Sequence, residues 1–269
     1  MKNDQVVLVT GASSGIGKAI ADRAAGNGGR VFGAARNAPH SPNGFTFLSV
    51  DVRDDQSVQG CVQHVLQEAG RIDVLINCAG VVVGGPVEEM LDDEVMDQIQ
   101  TNLLGTMRMC RAVLPGMRER RSGLIINVGS LAGLMGVPFQ AAYSASKYGI
   151  EGFSESLQME IRGFGIRVVV VDPGDVATEI TAHRKLSRGS RMDSPYGRSF
   201  ENAMASQSES ERRGWKAERV ARLLGRIMSS RAPRFRYTPG PWIERISPAV
   251  RRLIPDRLYL RILAGFYRQ

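Results

Sequence analysis

Along the first 171 residues, short runs of β-branched and aliphatic residues alternate with longer stretches whose apolar positions recur every three or four residues. Residues 5–10, 30–35, 46–50, 72–76, 124–128 and 166–171 read as strands, with 234–237 as a last one. Residues 15–27, 54–69, 98–117, 141–163 and 216–229 read as helices. Val58, Val62, Val65 and Leu66 share one helical face, and Val220, Leu223, Leu224 and Ile227 share another. The long helix 98–117 is expected to stop near Pro115 and Gly116. The strands are largely apolar, as strands covered on both faces are. Strands separated by helices predict an α/β fold: a Rossmann-type, doubly wound parallel sheet with right-handed crossovers.

After Pro173 the pattern loosens. Residues 182–214 are rich in Arg, Ser and Glu and show no clear period. The stretch 175–215 is expected to be a substrate loop, either a mobile lid or plain surface. Neither an internal repeat nor an interdomain linker is visible. The expectation is one catalytic domain over 1–240 and a basic, amphipathic helical extension over 241–269.

Composition changes this picture in three respects. With 269 residues, 43% of them hydrophobic, the chain can bury a sizeable core, which excludes disorder as its dominant state. Charge is uneven. Residues 1–180 hold 15 Lys and Arg against 20 Asp and Glu, whereas residues 181–269 hold 20 against 7. A basic C-terminal third suits lipid headgroups or an acidic substrate, or is simply a solvated surface. Nucleic acid fits least, because no binding motif accompanies the charge. The three cysteines, Cys61, Cys78 and Cys110, are odd in number and lack metal spacing, so free thiols in a cytoplasmic setting and no metal are expected. No stretch approaches the roughly 20 apolar residues of a spanning helix, and no signal segment is visible.

The chemistry begins directly after the first strand. Thr10, Gly11, Ala12, Ser13, Ser14, Gly15, Ile16 and Gly17 lead into the first helix. Gly11 permits a tight turn, Gly15 lets backbone approach a pyrophosphate, and Gly17 lets helix and strand pack closely. Amide groups at the helix start then face phosphate. The second strand ends in Gly33, Ala34, Ala35 and Arg36. A carboxylate there would repel a ribose 2′-phosphate; Arg36 instead offers it a forked cation, with Ser13 or Ser14 adding a hydroxyl. NADP(H) is therefore expected over NAD(H).

Tyr143 and Lys147 lie four apart on a predicted helix and share a face. An unperturbed phenol, of pKa about 10, is a poor base at neutral pH; a neighbouring ammonium favours its ionised form. Tyr143 then takes an alcohol proton, or gives one to a carbonyl. Ser130 follows the fifth strand, at the carboxyl edge where parallel sheets bind ligands, and its hydroxyl suits a substrate oxygen. Tyr148 points about 100° around the helix from Lys147 and reads as packing. His40, His64 and His183 fit no triad or metal site.

The spacing Gly-x-x-x-Gly-x-Gly resembles the cofactor loop of the short-chain dehydrogenase/reductase family, and the resemblance extends over about residues 5–180. By that resemblance Asp51 and Val52 contact adenine. Asn77, Ala79 and Gly80 match the family's Asn-Asn-Ala-Gly segment, with Cys78 in place of its second Asn. Ser130, Tyr143 and Lys147 match its catalytic set, and Lys147 also holds the nicotinamide ribose. Asn102 matches the residue that organises a proton relay through Lys147. Pro173, Gly174, Val176 and Thr178 match the segment near the nicotinamide. A homodimer or homotetramer is implied, with residues 98–117 and 141–163 in the contact.

The resulting expectation is an NADP(H)-dependent oxidoreductase interconverting a secondary alcohol and a carbonyl. The apolar segment 131–139 after Ser130 lines either a hydrophobic pocket or a subunit contact. A lipophilic substrate, steroid-, retinoid- or acyl-like, fits the first. In the tail, Ile243, Ile246, Val250, Leu253 and Ile254 recur at near-helical spacing between Arg245, Arg251 and Arg252, and Leu258, Ile262 and Phe266 follow Pro255. Such a tail either lies on a membrane surface as a peripheral contact or packs over the pocket or another subunit. Two other classes stay open: a non-catalytic NADP(H)-sensing protein, which needs none of Tyr143, Lys147 and Ser130, and an epimerase or dehydratase, which usually carries a larger C-terminal region.

Overall fold

The computed structural model describes residues 4–37, 44–177, 184–190, 194–242, 246, 250–251 and 253–267. Thr178, His40, His183, Ile243, Arg245 and Arg252 lie outside the described residues. Seven strands form one parallel sheet: β1 (Val6–Thr10), β2 (Arg30–Ala35), β3 (Thr46–Ser49), β4 (Val74–Asn77), β5 (Gly123–Val128), β6 (Ile166–Val171) and β7 (Arg236–Tyr237). Their spatial order is β3-β2-β1-β4-β5-β6-β7. The order reverses between β1 and β4: Val7, Leu8 and Val9 of the central strand β1 pair with β2 on one side and with β4 on the other. Ligands of such sheets bind outside the carboxyl ends of the strands at this reversal.

The sheet is buried because alternate residues of each strand feed two separate apolar layers. Leu8, Phe32, Leu75, Ile125 and Val168 face one way and meet α2 (Asp55–Ala69), α4 (Gly105–Glu119) and α5 (Ala141–Ile161). Val7, Val9, Val31, Val74, Ile76, Ile126, Val169 and Val171 face the other and meet α1 (Gly15–Gly26) and α7 (Ala217–Ser229). Each large aliphatic side chain buried this way contributes about 1.5–3 kcal/mol. The ends of α2 show the local logic. Asp54 accepts from the Gln56 amide at 2.9 Å, and Gly70 stops the helix at φ 74°.

Two elements differ from the sequence expectation. The helix expected over 98–117 begins earlier, as α3 (Asp92–Gln98), passes through a π-helical turn (Ile99–Leu104) and continues as α4. Pro115 does not end it. Its ring is on the exposed face, where the carbonyl it leaves unbonded is open to solvent, and the helix runs on to Glu119. The stretch 175–215 is no plain loop. It contains α6 (Gly197–Arg213), whose inward face is Phe200, Ala203, Met204, Gln207 and Ser210. That face is half polar, so no apolar period marks it.

The tail forms α8 (Asp256–Phe266), again mostly apolar but with only Tyr259 buried within it. Arg251 donates to the Leu134 carbonyl at 2.8 Å and to the Tyr148 hydroxyl, and Ser206 of α6 donates to the Phe266 carbonyl at 3.2 Å. The tail therefore rests on α6 and on the segment after Ser130. Among the described residues, no helix is long and apolar enough to cross a membrane.

Candidate active site

The glycine loop is shaped by contacts that admit no side chain. A Cβ at Gly17 would lie 2.2 Å from the Gly11 carbonyl oxygen, and one at Gly11 would lie 2.9 Å from the Ala79 backbone. Gly11 and Gly15 adopt φ of 68° and 55°, where a side chain is strained. Thr10 Oγ1 accepts from the Cys78 and Ala79 amides at 3.0 and 3.1 Å, tying the loop to the end of β4. Ser14 precedes α1 in extended conformation, and no side chain caps the helix. Its first amides are thus left for an anion. Ser13 is exposed and Ile16 half-buried beside this opening. The cradle fits the pyrophosphate of a dinucleotide.

At the end of β2, Arg36 is exposed; its carbonyl accepts from Ser49 Oγ at 3.0 Å. Asp51 is held by Arg53 through Nε at 3.0 and 3.1 Å and through Nη2 at 2.6 Å. The hydrogen bonds from Arg53, together with the charge of Arg36, keep the Asp51 carboxyl below its ordinary range. Val52 is buried against Gly105. Asn77 is turned into the core, where it donates to Asn127 Oδ1 at 2.9 Å; Asn127 in turn donates to Ser154 at 2.8 Å. Its side chain bridges strands rather than facing the crevice. Gly80 lies against Asn102, its built Cβ 3.4 Å from Asn102 Oδ1.

Asn102 sits in the π-helical turn and is fully buried. Its Oδ1 accepts from the Val81 amide at 2.8 Å, and its Nδ2 donates to the Val81 carbonyl and to Ser146 Oγ, both at 3.0 Å. Ser146 donates to the Tyr143 carbonyl at 2.7 Å. The extra residue of a π turn re-aims one side chain, and here it aims Asn102 at Ser146 of α5. Asn102 thus locks the crossing of two helices and the strand end beneath Tyr143.

Lys147 is buried, and its Nζ donates to the Val128 carbonyl at 2.9 Å and stands 5.7 Å from the Tyr143 ring centroid. Tyr143 is half-buried, and among the described residues none hydrogen-bonds its hydroxyl. Ser130 caps a short turn (Leu131–Gly133) by accepting from the Ala132 amide at 3.1 Å, which leaves its own proton to donate. Leu131 donates to the Pro173 carbonyl at 3.0 Å, and Gly174 donates to the Pro239 carbonyl at 2.8 Å. Ser130, Pro173 and Gly174 therefore stand side by side at the ends of β5 and β6. Val176 pairs with Trp215 just beyond. Cys78 lies among them, its thiol pushed up to about 11 by burial, against the pull of Lys147 and the Gly17 amide.

The family model for short chain dehydrogenases matches residues 5–188. The chain belongs to the short-chain dehydrogenase family. A 3-ketodihydrosphingosine reductase from Bacteroides thetaiotaomicron is 38% identical over 263 residues, covering 98% of each chain. A solved short-chain dehydrogenase from Streptomyces avermitilis superposes with a TM-score of 0.82 at 30% identity, covering 100% of this chain and 98% of that one. A metagenomic short-chain oxidoreductase solved with NADP gives 0.68 at 28% identity, over 87% of this chain and 96% of that one. This short-chain dehydrogenase is an oxidoreductase of a family that uses NAD(P) and interconverts carbonyls and alcohols.

Several site residues escaped the sequence reading. Gln98 is buried and accepts from the Val83 amide at 3.0 Å. Gln207 of α6 donates to the Pro138 carbonyl at 3.2 Å and accepts from Gln140. Phe139 holds φ 58°, fixed by its carbonyl accepting from the Gly85 amide at 2.9 Å and by its ring 5.2 Å from that of Phe200. Glu94 anchors the short segment 187–188 through Ser187 at 2.7 Å and Arg188 at 3.0 Å. A sequence signal existed only for Gln98 and Glu94, as polar residues on the inward face of a helix.

Proposed function

We propose that this chain reduces the ketone of a long-chain lipid, with NADPH as the hydride donor and Tyr143 as the proton donor. The observation that carries the reading is the crevice at the ends of β4, β5 and β6, where Ser130, Tyr143 and Lys147 converge beside an open anion cradle. Bound nicotinamide would supply the hydride. Ser130 would orient the ketone oxygen by hydrogen bond, and Tyr143 would give it the proton. Lys147, held through Val128, would stand beside Tyr143 as the local cation and take the ribose; Asn102 would serve the proton relay. Gly11 to Gly17 would bind pyrophosphate, Asp51 and Val52 the adenine end, and Ala79, Gly80, Pro173, Gly174 and Val176 the remainder. Arg36, with no carboxylate near it on β2, supports NADP(H) over NAD(H).

The substrate class draws on the tail. The family model ends at residue 188, yet the similarity to the 3-ketodihydrosphingosine reductase covers 98% of the chain. The additional residues build α6, whose Phe200 and Gln207 meet Phe139 and Pro138, and α8, which rests on α6. A second role for the same tail is favoured by its outer face. Leu253, Leu258, Leu260, Ile262 and Phe266 are exposed beside Arg257 and Arg261, a pattern suited to resting on an anionic lipid surface that carries the substrate. Exposed Met159 on α5 supports a homodimer or homotetramer through α4 and α5. The free thiols, Cys61 and Cys110 buried and Cys78 half-buried, suit a reducing compartment such as the cytoplasm.

The test is NADPH consumption with 3-ketodihydrosphingosine, a steroid ketone and a 3-oxoacyl thioester, each repeated with NADH. The expected result is turnover of the long-chain amino ketone with at least tenfold preference for NADPH. Turnover confined to short polar ketones, or a preference for NADH, contradicts the reading.

A further inference from the structure

The helix that carries Tyr143 and Lys147 keeps their spacing for two further steps: Glu151 and Glu155 follow four and eight residues after Lys147. Residues at this spacing lie one above the other on a helix face. Glu151 is buried, and beside it stands Asp172, fully buried at the end of β6. Asp172 directly precedes Pro173 and Gly174 of the crevice.

The two acids meet without a donor between them. Among the described residues no N–H or hydroxyl group donates to either oxygen of Asp172 or to Glu151 Oε1. Gly129 makes the room: a Cβ there would lie 2.0 Å from Asp172 Oδ1 and 3.2 Å from Glu151 Oε1. Gly129 also stands between Val128, whose carbonyl holds Lys147, and Ser130. Arg236 of β7 closes the cluster. Its Nε donates to Glu151 Oε2 at 2.9 Å and stands 3.6 Å from Asp172 Oδ2, and its Nη2 donates to Glu155 at 3.0 Å. The charged groups facing Asp172 are thus Glu151 and Lys147 from α5 and Arg236 from β7, with Glu155 at the solvent edge. Burial first, then the charge and hydrogen bond of Glu151, push the Asp172 carboxyl well above its ordinary range, against Arg236 and Lys147.

We propose that Glu151 and Asp172 share a single proton beneath Lys147 and, with Arg236, form an electrically neutral positioning unit that leaves Lys147 the uncompensated cation of the active site. Two buried carboxylates a hydrogen bond apart do not both ionise; one keeps its proton and donates it to the other. The remaining negative charge then cancels the guanidinium. With both acids ionised, a net negative charge would instead oppose Lys147 at close range in a poorly screened interior. Glu151, Asp172 and Arg236 act on the reaction through Lys147 and touch no substrate. The inference rests on the reading of Tyr143 and Lys147 as the proton-transfer pair.

Infrared difference spectra and pH profiles test it together. At neutral pH the wild-type protein should show one buried protonated carboxyl band, lost in Asp172→Asn. It should also be lost in Glu151→Gln, because Asp172 then faces Arg236 alone and ionises. For NADPH-dependent reduction of 3-ketodihydrosphingosine, each single variant should leave the basic limb of kcat/KM within about 0.3 pH unit of wild type, since either acid alone neutralises Arg236. The double variant leaves Arg236 only the solvent-edge Glu155 as counter-charge and should move that limb down by roughly half a unit or more. Arg236→Gln should move it up by a similar amount, and Arg236→Lys should restore it. A wild-type spectrum without the band overturns the proposal. So do limbs that fall in each single variant and add in the double, or limbs that never move. Should the double variant fail to fold, the spectra and the Arg236 pair still decide. Turnover retained by Tyr143→Phe would instead sink the underlying reading, so the two failures are distinguishable.

Discussion

Residues 6–171 and residues 184–267 border the same crevice but are held by different forces. The first region is a sheet whose strands are buried on both faces, and it places Ser130, Lys147 and Pro173 through backbone contacts at strand ends. Apart from α7 and β7, which belong to the sheet and its apolar layer, the second has little core of its own. It is held over the crevice by a few polar contacts: Gln207 to Pro138, Ser210 to Asp175, Glu94 to Ser187 and Arg188, and Arg251 to Leu134. A region fixed by aliphatic burial resists local opening, whereas one fixed by a few side-chain hydrogen bonds opens at small free-energy cost. On the proposed function, the chemistry would be built on the rigid region, and access and substrate choice on the loosely held one.

The comparison breaks most visibly at the glycine loop. Gly17→Ala puts a methyl group 2.2 Å from the Gly11 carbonyl oxygen, backbone against backbone, so the cradle must shift. NADPH binding by fluorescence titration should weaken at least a hundredfold while the sheet survives; unchanged affinity would mean that the cradle is not the dinucleotide site. Removing residues 253–269 should have a smaller and more selective effect. KM for a long-chain ketone should rise about tenfold, KM for a short soluble ketone should stay constant, and flotation with anionic vesicles should be lost. Equal effects on both ketones would make the tail a general structural brace.

The smallest expected effect concerns Glu94. Burial pushes its carboxyl up, but the Arg188 amide and guanidinium, the Ser187 hydroxyl and the Leu91 amide outweigh that and hold it at about 2. A depressed carboxylate contributes stability that is complete above its unfolded value of 4.5 and is lost as pH falls toward about 2. Glu94→Gln should flatten the thermal stability profile across that window and speed hydrogen exchange in 185–190 at neutral pH, with the sheet amides unaffected. Exchange that quickens throughout would show that the covering region is not separately held.

Legibility follows the same division. The strands were readable because a strand buried on both faces must be aliphatic, as β1, β4 and β6 are. Helix α6 was not, because Gln207 and Ser210 occupy inward positions that a periodicity search expects to be apolar. The π-helical turn leaves no compositional trace, since it shifts hydrogen bonds rather than residue types. Asn102 was found by resemblance, and its actual partners, Val81 and Ser146, are 21 and 44 residues away. Asp172 and Arg236 carry no such signal, because a pairing between positions far apart in the chain has no local spacing to read.

The central claim is that Tyr143 hands the proton to a substrate oxygen at a bound nicotinamide. Single-turnover reduction by Tyr143→Phe, measured beside NADPH affinity in the same preparation, tests it most directly. The account predicts a rate at least a thousandfold lower, with affinity unchanged within about twofold. A variant that binds NADPH normally and still reduces the ketone at a tenth of the wild-type rate or faster would contradict it.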